Sequence, residues 1–193
     1  MRDDNARALV QDALGRAPAL VLDPCLQFPE VAAQPATHGE YAVVYGHGFP
    51  VWFQAGVRAW ARSAGVRLVS FGYRNDWADA QWLDAGPEDF PRVVAGAAAV
   101  ATTFFHGCVF ALVHDKPLVC AASPYRTNKV ASLMRLTGDP ARLVAADAPP
   151  AAYRAALDTA PGPAVGRRLA VLRARSDAFL DRVLSPAANH APA

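Results

Sequence analysis

The chain has 193 residues, 53% of them apolar, and a formal net charge of +2. That length supports one substantial domain rather than two ordinary ones, and the apolar fraction supports a sizeable core. So small a charge, with arginines scattered and no basic run, argues against a nucleic-acid partner but leaves room for a small anionic substrate.

Three cysteines, Cys25, Cys108 and Cys120, are odd in number and far apart. Cys108 and Cys120 lie in apolar patterns, which predicts buried thiols and a reducing compartment. Histidine and cysteine show no metal-ligand spacing, so no metal is expected. The charged start Met1-Arg2-Asp3-Asp4-Asn5 leads into no apolar h-region, and no run reaches membrane-spanning length. The expectation is a cytoplasmic protein without a transmembrane segment.

In chain order, residues 5–14 read as a helix, with Asp3, Asp4 or Asn5 as cap and Gly15 as stop. Residues 19–22 read as a short strand ended by Asp23-Pro24, and 25–37, with Pro29 and Pro35, as a loop. Tyr41–Tyr45 (YAVVY) is a buried-strand pattern closed by Gly46-His47-Gly48, a tight turn. Residues 50–64 follow as a helix with Trp52, Phe53, Val57 and Trp60 inward and Gly65 as stop. Residues 66–71 form the next strand, ahead of the loop Gly72-Tyr73-Arg74-Asn75-Asp76.

Gly86-Pro87-Glu88-Asp89 reads as a helix start, with Phe90, Val93 and Val94 inward. The apolar run 97–102 is a buried strand. It turns at Thr103-Phe104-Phe105-His106-Gly107 and resumes as a helix through Val109, Phe110, Leu112 and Val113. Residues 117–121 are a fifth strand, 125–136 a helix ended at Gly138, 142–145 an edge strand and 151–157 a short helix. After the hinge Pro161-Gly162-Pro163, residues 164–184 form a long amphipathic helix: Val165, Leu169, Leu172, Phe179 and Val183 share a face, and five arginines lie mostly elsewhere. Residues 185–193 read as a disordered tail.

Apolar strands alternating with helices imply an α/β fold: a Rossmann-like parallel sheet covered on both faces, one domain over residues 1–184. Ligands in such sheets bind outside the carboxyl ends of the strands. The post-strand loops carry His47, Arg74, His106, Arg126 and Lys129. His106-Gly107 is the sharpest of these features. A strand handing an imidazole to the first turn of a helix sets it beside backbone N–H groups and a dipole that favour an anion. A lone histidine in an apolar stretch also has an ordinary core or cap role open to it. So do Arg74 and Arg126, as solvated loop residues. A lysine at position 129, in a helix first turn, is unfavourable without an anion nearby.

The ordered set Leu68-Val69-Ser70-Phe71-Gly72-Tyr73, Gly86-Pro87-Glu88-Asp89-Phe90, Ala101-Thr102-Thr103-Phe104-Phe105-His106-Gly107 and Lys116-Pro117-Leu118-Val119 resembles the polysaccharide pyruvyl transferase family. Asn128-Lys129 ahead of a helix matches its C-terminal half, and Arg2-Asp3 with Leu22-Asp23-Pro24 resembles its mid-chain segment. The resemblance covers residues 2–142.

It implies a glycosyltransferase-B-like fold of two Rossmann-like domains, of which this chain would be the C-terminal one, lacking the family's N-terminal domain. It implies transfer of pyruvyl from phosphoenolpyruvate, with no further cofactor, to a sugar of a cell-surface or exopolysaccharide, forming a ketal. His106 would be the general acid/base. Arg2, Arg74, Gly107, Arg126 and Lys129 would hold the anionic donor. Many members carry Ser or Arg where this chain has Phe104. A chain beginning inside the mid-chain segment is expected to be a truncated gene, a mis-called start or one half of a split protein. Alone it is expected to be inactive and to self-associate, or to pair with an N-terminal half. Two other readings are open: a nucleotide-sugar glycosyltransferase half using Asp76 or Asp79 to hold ribose, and a non-catalytic half-protein that binds a partner chain.

Overall fold

The computed structural model describes residues 3–32, 39–121 and 127–185. Six strands of the described residues form one all-parallel sheet: β1 (Tyr41–Tyr45), β2 (Arg67–Phe71), β3 (Ala80–Trp82), β4 (Ala99–Thr102), β5 (Leu118–Ala121) and β6 (Leu143–Val144). Their spatial order is β3-β2-β1-β4-β5-β6, the 3-2-1-4-5-6 order of doubly wound Rossmann-like folds. The fold is therefore α/β and Rossmann-like.

Among the described residues, eight α-helices surround the sheet: α1 (Asp4–Leu14), α2 (Pro24–Gln27), α3 (Val51–Ala64), α4 (Phe90–Gly96), α5 (Phe105–Val113), α6 (Thr127–Thr137), α7 (Pro150–Leu157) and α8 (Pro163–Leu184). Alternation along the strands divides the core in two. Val43, Val100, Leu118 and Cys120 point to one face, where Leu26 of α2, Val94 of α4, Val109 of α5, Met134 of α6 and Leu169 of α8 cover them. Ala42, Val44, Ala99, Ala101 and Val119 point to the other, against Phe53, Val57 and Trp60 of α3 and Tyr153 and Leu157 of α7. The alanines on that second face make room for the large rings. Both faces are sealed, which is why these strands read as continuous apolar runs.

Cys108 and Cys120 are fully buried thiols, as expected. The Cys108 thiol beside it, together with burial, holds the Cys120 thiol well above its usual range. Among the described residues no helix is long and apolar enough to cross a membrane.

Several expectations are corrected. Residues 19–22 form no strand: the Leu22 N–H donates to Ser176 Oγ on α8 (2.9 Å) rather than to a sheet neighbour. The expected loop at 25–37 contains α2 and a 3-10 turn, Pro29–Ala32. The strand β3 was not expected at all. Residues 86–89 form a turn, closed by Asp89 Oδ2 accepting from the Gly86 N–H (2.9 Å), and α4 begins only at Phe90. The long amphipathic helix expected at 164–184 is present as α8, its apolar stripe buried at Val165 and Leu169 and exposed at Val183 and Leu184. Of the tail expected at 185–193, residues 186–193 lie outside the described residues.

Candidate active site

Winding reverses between β1 and β4, so α3 and α5 cover opposite faces and a crevice opens at the carboxyl ends of these two strands. Side-chain hydrogen bonds fix its walls. Thr102 Oγ1 donates to the Tyr45 carbonyl (2.6 Å) and accepts from the Phe104 N–H (2.9 Å). Thr103 Oγ1 donates to the His47 carbonyl (3.1 Å). Buried Asn75 donates through Nδ2 to the Gly46 carbonyl (2.9 Å) and to Ser70 Oγ (2.8 Å), tying the loop after β2 to the loop after β1. Gly46 is required here: its φ is +138°, and a Cβ would lie 2.5 Å from Thr103 Oγ1.

His106 is the second residue of α5, at the carboxyl edge of the sheet, as expected. The helix begins at Phe105, inside the turn expected at 103–107, and the His-Gly pair belongs to its first turn, as expected. Its N-cap residue, Phe104, has no side chain that can accept a hydrogen bond, so the first-turn N–H groups depend on other partners. The imidazole is half exposed, and its Nε2 lies 3.6 Å from Oδ2 of Asp23, whose side chain is 1% exposed.

Beside the imidazole is a cavity of about 440 Å³, lined by Tyr45, Phe71, Tyr73, Phe90, Phe110 and the Gly86-Pro87 turn among others. No described lining residue is Arg or Lys. Its walls are an aromatic cluster: Tyr45 packs on Phe90 (4.2 Å between ring centroids) and edge-on to Phe104 (5.2 Å), and Tyr73 meets Phe104 at 5.1 Å. Tyr45 is the hub of this cluster, in ring contact with Phe71, Tyr73, Phe90 and Phe104, and His47 stands edge-on against Phe104 behind the wall (5.0 Å).

The other expected site residues are spread more widely. Gly107 is buried, and a Cβ there would fall 2.2 Å from Thr102 Oγ1; the missing side chain lets α5 start directly over β4. Arg74 is turned to solvent and paired with Asp76 (2.7 Å, side chains 72% and 75% exposed), outside the cavity wall. Lys129 is exposed in the first turn of α6. Arg2 and Arg126 lie outside the described residues.

Sequence reasoning missed Asp23 as a site residue. Its Asp-Pro pair is an N-cap and first-position signature that locates α2, but nothing in the sequence says that α2 packs behind His106.

No family model, no curated protein and no solved structure matches the chain.

Proposed function

We propose that the protein is the catalytic-base half of a pyruvyl transferase, moving the pyruvyl group of phosphoenolpyruvate onto two hydroxyls of a saccharide in the cytoplasm. The observation that carries this reading is His106. It sits at the switch point of a Rossmann-like sheet, in a helix first turn, between a buried carboxylate and an aromatic cavity.

The chemistry asks for such a group. Protonated His106 gives its proton to the methylene carbon of phosphoenolpyruvate, which becomes a methyl group and leaves the adjacent carbon cationic. One sugar hydroxyl adds to that carbon and returns its proton to His106. A second hydroxyl then replaces phosphate, and its proton leaves with the phosphate. The products are a cyclic ketal and inorganic phosphate. The anionic groups of the donor need cations and N–H groups. Gly107, Lys129, Arg2 and Arg126 are the residues proposed for that task, since the described cavity wall has no cation. Arg74, engaged with Asp76 at the surface, is the least suited of the original set. The aromatic wall suits the apolar face of a sugar ring.

The glycosyltransferase reading loses support at its own residues. Asp79 Oδ2 accepts from the Leu68 N–H (2.7 Å) and Asp76 pairs with Arg74, so neither carboxylate is positioned over the crevice.

The test is phosphate release from phosphoenolpyruvate with saccharide acceptors, followed by ³¹P NMR, together with the appearance of a ketal methyl signal in ¹H NMR. It is run on the chain alone and with any co-encoded partner chain. Calorimetric binding of a nucleoside diphosphate without binding of phosphoenolpyruvate would turn the assignment to the glycosyltransferase class.

A further inference from the structure

The carboxylate behind His106 is held too firmly to be incidental. Asp23 Oδ1 caps α2 by accepting from the Cys25 N–H (3.1 Å), and its carbonyl accepts from the N–H groups of Leu26 and Gln27 (both 2.9 Å). Leu26 is fully buried in the core that α5 also enters. The segment is fastened from behind by α8: Leu22 N–H to Ser176 Oγ (2.9 Å), Gln27 Nε2 to Asp177 Oδ1 (2.6 Å) and Arg173 Nε to the Leu26 carbonyl (2.7 Å). With Oδ1 committed to the cap, Oδ2 is the oxygen presented to His106 Nε2.

We propose that Asp23 is a positioning residue that holds His106 as its Nε2–H tautomer, leaving Nδ1 as the nitrogen that exchanges protons with the substrate. A carboxylate accepts only, so its charge, 3.6 Å from the ring, favours the tautomer in which the nitrogen facing it keeps its hydrogen. Nδ1 then carries the lone pair. No other carboxylate of the described residues pairs with this ring, and the titratable groups across the cavity are the phenols of Tyr45 and Tyr73. The catalytic consequence rests on the reading of His106 as acid/base; the tautomer does not.

The experiment is two-bond ¹H–¹⁵N correlation NMR of the histidine rings in the ¹⁵N-labelled chain, with the His106 signals assigned by their loss in His106→Gln. The wild-type neutral ring is expected as Nε2–H. In Asp23→Asn the amide oxygen retains the cap, since Asn is a good N-cap, and the amide NH₂ then faces the ring. That donor requires Nε2 to accept, so the tautomer is expected to reverse to Nδ1–H. Asp23→Ser, which keeps a cap but withdraws the facing group, is expected to give a mixture. A wild-type ring that is Nδ1–H or mixed overturns the proposal, whether or not a variant folds. So does an unchanged Nε2–H ring in both Asp23 variants. Where wild type shows turnover, Asp23→Asn is expected to lower kcat by about 10²–10⁴-fold with little change in the KM for phosphoenolpyruvate. The expected tautomers with no wild-type turnover, either alone or with a partner chain that supplies the N-terminal half, would leave Asp23 as assigned and overturn the transferase reading instead.

Discussion

His106 and His114 sit in the first turn and at the C-cap of the same helix, and their surroundings ask opposite things of them. His106 is half exposed beside a carboxylate. His106→Gln keeps an N–H donor toward Asp23 and is expected to leave the thermal midpoint nearly unchanged. In a preparation with wild-type turnover, phosphoenolpyruvate-dependent phosphate release should fall by about 10²–10⁴-fold, the usual scale of general acid/base catalysis. Unfolding of this variant would show the histidine to be structural. His114 is different: its Nε2 is buried with no partner among the described residues. Desolvation, and secondarily the charge of Lys116, lowers its pKa. The unfolded chain thus binds this proton more readily than the folded one. Stability is fully present above the unfolded value of about 6.5 and declines as pH falls through the folded value. Urea midpoints measured from pH 7.5 down to 5 should therefore drop in wild type and flatten in His114→Leu. Equal slopes would mean that other groups carry the acid sensitivity.

At the scale of elements, the four central strands were legible because both faces of the sheet are covered and each strand is apolar along most of its length. β3 was not, for the converse reason. It is three residues at the sheet edge, none of them buried, and its Gln81 side chain turns back to bond the Asn75 backbone. The short α2 was hidden by its length, and the strand expected at 19–22 by its partner: those apolar residues lie against α8, a contact that no local pattern encodes. The site divides in the same way. His106-Gly107 stood out because it interrupts an apolar run, while Asp23 reaches it only through tertiary packing. Gly107 now has a steric role that can be tested apart from any anion. In Gly107→Ala the new Cβ meets Thr102 Oγ1, which is fixed by its bonds to Tyr45 and Phe104 and cannot swing away. Overpacking of this kind costs about 1–3 kcal/mol, to be read from urea unfolding. A neutral Gly107→Ala would show that α5 can lift off β4. Asn75→Ala removes the bonds joining the loops after β1 and β2 and should cost a comparable amount, about 1–3 kcal/mol, by leaving the Gly46 carbonyl without that donor.

At the scale of the molecule, α8 has two halves with different tasks. Val165 and Leu169 seal one face of the core, whereas the middle of the helix, from Arg173 to Asp177, grips the segment that carries Asp23. The last helix is thus linked to the crevice through a chain of contacts: α8 to residues 22–27, Asp23 to His106. None of these links is a sheet hydrogen bond, so the segment can open without the sheet opening, and such openings fall at the low end of the stability range within a fold. Ser176 is the test point because it is buried, accepts from the Leu22 N–H and donates to the Leu172 carbonyl. Ser176→Ala leaves the Leu22 N–H without its acceptor while a methyl group still fills the site. Amide hydrogen exchange should quicken at Leu22 and across Cys25, Leu26 and Gln27, with the amides of β1, β4 and β5 unchanged. The Nε2–H preference of His106 should weaken in the same variant, although no atom near the imidazole has been altered. Acceleration spread evenly over the sheet would mean that α8 and the core open as one unit. Acceleration confined to residues 22–27 with an unmoved His106 tautomer would break the link between α8 and the site.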